Sequence, residues 1–374
     1  MDLALTDDQR LLAETARAFV TRSCPLSVAR AQEATDAGVD AALWATAGRL
    51  GWTGLCLPPE SGGSGQGLFE FVVLCAELGR GLFPSPLIPS TTTVALPIAW
   101  EGDAIQRGRW LPGLAAGTLT ATLALLEPGA RDEWDDARLT VKRASDVGLA
   151  LQGTKTMVPF ADAVDLLLVA GRLDDRPALV LVDRRSPGVR CTRLHTLGGD
   201  PLYDVSFDGV RVTGADVLAG DRTVFGCTVL DRALDHAAVA SLAYITGAAE
   251  RALEMTVAHA KAREQFGRPI GAFQAVAHRC VDMRVDIDAC RYLAYQAAWA
   301  LDAGRSAELE VAAAKAYGND ALRRVFMHAH QVHGAVGFST EHDLQLLSRR
   351  AKAFELTYGS TARQRERVAV AMGL

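Results

Sequence analysis

The chain predicts a mainly α-helical fold interrupted by a β-structured middle. Three observations carry this. Residues 1–118 read as helical, with apolar residues at helical spacing. Residues 119–222 break into short apolar runs punctuated by Gly, Pro and Asp, at the intervals expected of a small barrel or sandwich. Residues 223–374 return to long helices. The all-α, all-β, all-α order is more informative than any single element, and 374 residues are enough for two or three domains.

Each element has its own signal. Thr6 before Asp7, Asp8 and Gln9 is a capping arrangement, and Leu11, Leu12, Ala16 and Val20 follow at helical spacing. Trp44 to Leu50 continues the pattern until Gly51. Residues 58–67 form a breaker-rich loop without GxGxxG spacing or a flanking strand–helix unit, which argues against a nucleotide loop. A helix is expected over Leu68–Gly79, a looser stretch over Pro84–Pro97, then Gln106–Leu114. Strands are expected at Leu119–Leu126, Leu149–Gly153, Leu166–Ala170, Ala178–Val182 and Val205–Val212. Long helices follow over Leu234–Ala262 and Phe273–Leu301.

Composition excludes several classes. A net charge of −5 offers no basic field for nucleic acid. No apolar run is long enough to span a bilayer, and residues 1–5 carry no basic region followed by an apolar core, so no export signal is expected. Seven scattered cysteines point to reduced thiols and a cytoplasmic location.

Two stretches read as sites. The first is Arg263-Glu-Gln-Phe-Gly-Arg-Pro-Ile270, between two long helices. It presents Arg263, Gln265 and Phe266: a guanidinium suits a diphosphate, and an aromatic beside it can cover a flat ring. A helical hairpin with a solvated charge accounts for the same residues. The second runs from Gln331-Val-His-Gly334 through Gly337-Phe338 to Tyr358-Gly-Ser-Thr361, whose helix start offers free N–H groups or serves as an ordinary cap. His328, His330 and His333 spread around a helix instead of sharing a face, so no metal is expected there.

Together these motifs resemble the acyl-CoA dehydrogenase family. Leu50-Gly51-Trp52 with Pro59–Gly63, Glu77-Leu-Gly-Arg80, Glu127-Pro-Gly129 and Phe207-Asp-Gly-Val210 agree, and the resemblance spans the chain. It implies a helical N-terminal domain (1–118), a β-barrel (119–222) and a C-terminal four-helix bundle (223–374). It implies non-covalent FAD in a dimer interface of a tetramer, dehydrogenation of an acyl thioester in lipid metabolism, and an electron-transfer flavoprotein as acceptor. By position, Arg263, Gln265 and Phe266 would hold the diphosphate and adenine side, Gln331 and Gly334 the ADP portion, and Ser360 the final FAD contact.

The sequence departs from the family at the base. The reaction removes an α-proton while a hydride leaves the β-carbon for the flavin, and Glu is suited to that task. The usual Glu position holds Tyr358, a phenol with pKa about 10. The second family position, one helix back, holds Ala237. The Arg that binds the CoA nucleotide falls at Ala238, and the flavin-side Trp at Met157. Three residues are candidates to replace the base: Asp235, read as lying just before the long helix; Glu355, three residues before Tyr358; and Tyr358 itself.

Four readings follow. The chain is an FAD-dependent acyl-CoA dehydrogenase with a relocated base, or one subunit of a heteromeric dehydrogenase. Its ending, residues 354–361, looks closer to the base-less subunits of steroid-type enzymes. Alternatively it is a catalytically silent partner; in any dehydrogenase reading, a thioester linked to acyl carrier protein is the alternative to CoA. Flavin-based oxygen chemistry is a weaker fourth.

Overall fold

A computed structural model describes residues 4–129, 137–143, 148–218 and 225–374, with the side chains of 225–227 left aside. The chain forms two compact units. One comprises Met1–Arg30, Leu68–Phe83 and Ala238–Leu374; the other comprises Ala31–Gly67 and Pro84–Ala237.

The first unit is helical. Helix α1 (Asp7–Ser23) starts at Thr6, whose hydroxyl accepts from the Gln9 N–H while the Gln9 side chain accepts from the Thr6 N–H. It buries Ala16, Phe19 and Val20. Helix α2 (Leu26–Glu33) follows; helix α3 (Ala41–Arg49), capped by Asp40, belongs to the second unit. Helix α4 (Leu68–Gly79) is buried along most of its length, and its first amides donate to the Asp302 carboxylate at 2.7 and 2.8 Å. A Cβ at Gly79 would stand 1.7 Å from the Tyr244 carbonyl, and one at Gly247 would stand 1.7 Å from that of Ala76. Two backbones therefore cross here at a distance only glycine permits.

In the second unit, the stretch expected to be loose is helical. Residues Pro89–Ala95 wind in wide π turns that run into α5 (Leu96–Glu101). The expectation rested on the low helix propensity of Pro and Thr. Here Pro89 sits in the first turn, where no N–H is needed. Thr92 and Thr93 donate back to the Ile88 and Pro89 carbonyls, and burial supplies the rest. Helix α6 (Ala104–Ala116) begins at an Asp103 capping box.

A curled seven-stranded sheet completes this unit: β1 (Ala121–Ala124), β2 (Thr140–Arg143), β3 (Gly148–Pro159), β4 (Leu166–Leu173), β5 (Arg176–Asp183), β6 (Val189–Leu194) and β7 (Leu202–Thr213). The order is β1-β4-β2-β3-β7-β6, with β5 antiparallel on β4. Strands β2 and β6 were not expected. Both are charged and half-exposed, TVKR and VRCTRL, and take their pairing from neighbours. One face buries Leu151, Val158, Val169, Val180 and Phe207; the other packs Leu166, Leu168 and Leu181 under α5 and α6.

Helix α7 (Phe225–Ala262) starts well before Leu234. Asp235 is therefore inside it rather than ahead of it, because the helical pattern extends through residues whose apolar spacing is weaker. Strands β8 (Glu264–Gln265) and β9 (Arg268–Pro269) form a small hairpin, followed by α8 (Gln274–Asp302), α9 (Glu308–His333), α10 (Asp343–Leu356) and α11 (Thr361–Ala371). Among the described residues, no helix is long and apolar enough to cross a membrane.

Candidate active site

Helix α7 ends where the Arg263 N–H closes on the His259 carbonyl. The chain then makes a tight hairpin: Gln265 pairs with Arg268, Glu264 with Pro269, and the Ile270 N–H donates to the Arg263 carbonyl at 2.8 Å. The turn residues Phe266 and Gly267 both have positive φ, +54° and +76°. Phe266 is 92% exposed and packs edge-to-face with Phe273, which also carries the Arg268 guanidinium on its face. The hairpin thus brings Arg263, Gln265 and Phe266 to the surface together.

A cavity of about 560 Å³ lies between the C-terminal half of α9, the turn Gly334–Phe338 and α10. Gln331, Gly334, Phe338, Lys352 and Glu355 are among its lining residues. Gly334 ends α9 at φ +66° with nothing within 4 Å of where a Cβ would stand. His330 stacks on Phe338 and bonds the Ser348 hydroxyl at 2.9 Å. Glu355 is 3.0 Å from the Lys352 ammonium. The cavity therefore joins Gln331 and Gly334 with Glu355, while Tyr358 and Ser360 are not in its lining. His328 pairs with Arg279, and His333 stacks on His259 while bonding the Ala329 carbonyl. Burial pushes His259, His330 and His333 below the ordinary imidazole range.

The closing turn follows α10. Tyr358 has φ +55° and Gly359 φ +107°. Ser360 caps α11, its hydroxyl accepting from the Arg363 N–H at 3.4 Å. The Tyr358 ring is half-buried, but burial of its hydroxyl pushes the phenol well above its ordinary value. It keeps its proton at neutral pH.

In the sheet-bearing unit, Asp235 is half-buried on α7. Its neighbour His236 was missed by sequence reasoning. It is buried, with Nδ1 2.7 Å from the Arg232 carbonyl and its ring edge on Trp100; burial lowers its pKa to about 4. Ala237 and Ala238 are buried small residues. Met157 stands at φ +55°, half-exposed, within an irregularity of the β3–β7 ladder. Beside it Lys155, fully buried, donates to Glu127 at 2.7 Å and to the Leu125 carbonyl. Burial raises the Glu127 carboxyl, but Lys155 and the amides of Leu139 and Arg138 outweigh it and hold it below its ordinary range. The signal for this pair was a lysine in an inward register of an alternating strand.

Comparison with known proteins gives a consistent result. The family profiles "Acyl-CoA dehydrogenase, N-terminal domain" and "Acyl-CoA dehydrogenase, C-terminal domain" match residues 6–118 and 225–373. The chain is 30% identical to the acyl-CoA dehydrogenase IpdE2 of Mycobacterium tuberculosis, covering 92% of this chain and 91% of that one. The ChsE4-ChsE5 complex from the same organism superposes with a TM-score of 0.90 at 28% identity, covering 100% and 99% of the two chains. A variant of the Tcur3481-Tcur3483 steroid ACAD superposes with a TM-score of 0.88 at 32% identity, covering 98% of each.

Proposed function

The chain belongs to the acyl-CoA dehydrogenase family, and from that premise we propose that it is the FAD-binding, base-deficient chain of a heteromeric dehydrogenase. Its family chemistry is FAD-dependent oxidation of an acyl-CoA to the α,β-unsaturated thioester.

The residues fit the cofactor. Arg263 is exposed at the base of a short hairpin, as a guanidinium that must reach a diphosphate needs to be. Gln265 and Phe266 flank it. The α9–α10 cavity, with Gln331 and the open backbone of Gly334, suits the ADP portion. Ser360 and the first amides of α11 offer hydrogen bonds at the closing contact. When bound, FAD accepts the hydride; the rest of the chemistry needs a base for the α-proton.

The observation that carries the proposal is Tyr358. The phenol at the usual Glu position has its hydroxyl buried and its pKa raised, so it holds its proton instead of taking another. Glu355 is paired with Lys352 and lines the cavity of Gln331 and Gly334, which suits charge balance on the nucleotide side. Asp235, inside α7, is the last of the three candidates for the base. The base then comes from a paralogous partner chain. The names of two structural relatives, each pairing two proteins, support this, and one of them is called a steroid ACAD. A steroid side-chain thioester is accordingly our proposed substrate, with a mixed tetramer, an electron-transfer flavoprotein acceptor and a cytoplasmic location. The division at 118 and 222 remains part of this reading.

The test is anaerobic flavin reduction by a panel of acyl-CoAs. The chain alone is expected to stay yellow. Tyr358→Glu, or co-expression with a paralogous chain that carries the Glu, is expected to permit bleaching, because a positioned base contributes about 10²- to 10⁴-fold. Near-stoichiometric bleaching of the unmodified chain alone would overturn the proposal and direct attention to Asp235.

A further inference from the structure

Lys315 of α9 is 1% exposed. Its Nζ donates to Asn319 Oδ1 at 2.6 Å and to the Phe354 carbonyl at 2.9 Å, and lies 3.7 Å from the centre of the Phe354 ring. Glu355 acts on it only through space. One turn further along α9, buried Asn319 donates from Nδ2 to the Gly359 carbonyl at 3.4 Å. From α11, buried Gln364 donates to the Tyr358 carbonyl at 3.1 Å.

Three side chains from two helices thus hold the carbonyls of residues 354, 358 and 359. Those of 358 and 359 belong to the turn after α10, and that of 354, which also accepts from the Thr357 N–H, lies in the last turn of α10. A cation or amine at the C-terminal end of α10 also faces the negative end of the helix dipole. Burying an amine is costly, and burial alone drives Lys315 well below the ordinary lysine range. An apolar side chain would fill the same space without that cost. What the lysine adds is grip on the Phe354 carbonyl and on Asn319. The turn it grips needs holding, because Tyr358 is a bulky residue in the left-handed region, a conformation that persists only where its surroundings impose it.

We propose that Lys315 is a positioning residue: with Asn319 and Gln364 it latches the Tyr358–Ser360 turn in its left-handed form and so fixes where residues 358 and 360 stand against FAD. The latch itself is independent of which chain supplies the base. Its placement against the cofactor rests on the reading of Ser360 given above.

The experiment uses the full FAD-loaded chain and three readouts: amide hydrogen exchange, thermal midpoint and FAD affinity. Lys315→Met keeps the volume and removes the amine. Exchange at residues 357–363 is expected to rise about tenfold, the worth of roughly one hydrogen bond. The midpoint is expected to hold or rise, because a buried amine has been removed. FAD is expected to bind about tenfold more weakly on the same arithmetic. Asn319→Asp keeps the acceptor for Lys315 but loses the donor to Gly359; it is expected to loosen the same amides and serves if Lys315→Met fails to fold. Lys142→Met, at an exposed lysine of β2 in the sheet-bearing unit, is the control and should leave exchange at 357–363 unchanged. Retained protection in both variants overturns the latch. So does protection lost evenly along α9–α11 with a lowered midpoint, which would make Lys315 a general structural prop. A loosened turn with unchanged FAD affinity keeps the latch and overturns its placement against the cofactor.

Discussion

Two turns of this chain use the same backbone device in opposite settings. In each, an aromatic residue in the left-handed region precedes a glycine of positive φ: Phe266 at +54° and Gly267 at +76°, Tyr358 at +55° and Gly359 at +107°. Each aromatic costs about 1–3 kcal/mol of backbone strain. The closing turn is held by side chains from α9 and α11. The hairpin is held by its own two-pair ladder, the Ile270–Arg263 backbone bond and the packing of Phe266 and Arg268 on Phe273, and its aromatic stands in solvent. A Cβ at Gly359 would meet Gln364 Nε2 at 2.1 Å, whereas one at Gly267 meets nothing within 4 Å. The contrast teaches where the strain is offset: by neighbouring helices for Tyr358, whereas the Phe266 ring stands 92% exposed.

The comparison breaks if cofactor binding follows global stability instead of the local turns, and acid tests this with the largest effect. His236 has a folded pKa of about 4, against an ordinary value near 6.5. Between those values the unfolded chain binds the proton and the folded chain does not. Its contribution is therefore intact above pH 6.5 and is lost as pH falls toward 4, by about 3 kcal/mol. Urea midpoints of the parent should drop over this window, and His236→Phe should flatten that part of the slope. FAD release that tracks the same slope in both proteins would reduce the two-turn contrast to one of overall stability.

Glycine replacement sharpens the contrast directly. Gly359→Ala should destabilise by about 2–3 kcal/mol, since it combines a φ of +107° with displacement of buried Gln364. Gly267→Ala should cost about 1 kcal/mol, because only the backbone objects. Equal shifts in thermal midpoint would remove the distinction.

Arg263→Ala is expected to weaken FAD binding by about 2 kcal/mol, the range of a charge-assisted pair. The melting of the cofactor-free chain should move by no more than about 0.5 kcal/mol, as for other exposed sites. Arg263→Lys should fall between, keeping the charge and losing the planar fork. A stability loss as large as the affinity loss would make Arg263 a structural residue of the hairpin.

Much of this was legible in the sequence. Helix α4 was expected over the residues it occupies, and Thr6 caps α1 as its spacing suggested. The order of helices, sheet and helices, the family and its FAD chemistry were legible for the same reason: periodicity and short motifs are local. What was not legible depends on partners distant in sequence. Strands β2 and β6 are polar and exist through pairing with β3 and β7. The π turns at Pro89–Ala95 rest on burial and on hydroxyls that bond back to the chain. Lys315 carries no sequence signal of burial, and only the fold encloses it. Asp235 was misplaced because α7 begins at Phe225, ahead of its strong apolar spacing. Arg263 and Gln331 were named from motifs, but the hairpin that exposes one and the cavity that encloses the other come from tertiary geometry.

The smallest effect is the most discriminating. Asn-Gly is the preferred pair for a two-residue hairpin turn with positive φ at both positions, and Asn tolerates the left-handed region better than Phe. Phe266→Asn should therefore stabilise the hairpin by up to about 1 kcal/mol. If the exposed ring is there for the cofactor, the same change should weaken FAD binding, because the flat apolar cover is gone. The two readouts then move in opposite directions, as expected where strain is retained for function. Thermal denaturation of the cofactor-free chain reads the first and fluorescence titration with FAD reads the second. If affinity also rises, the phenyl ring contributes nothing to the cofactor, and the exposed hairpin is a connector whose strain has no counterpart in binding.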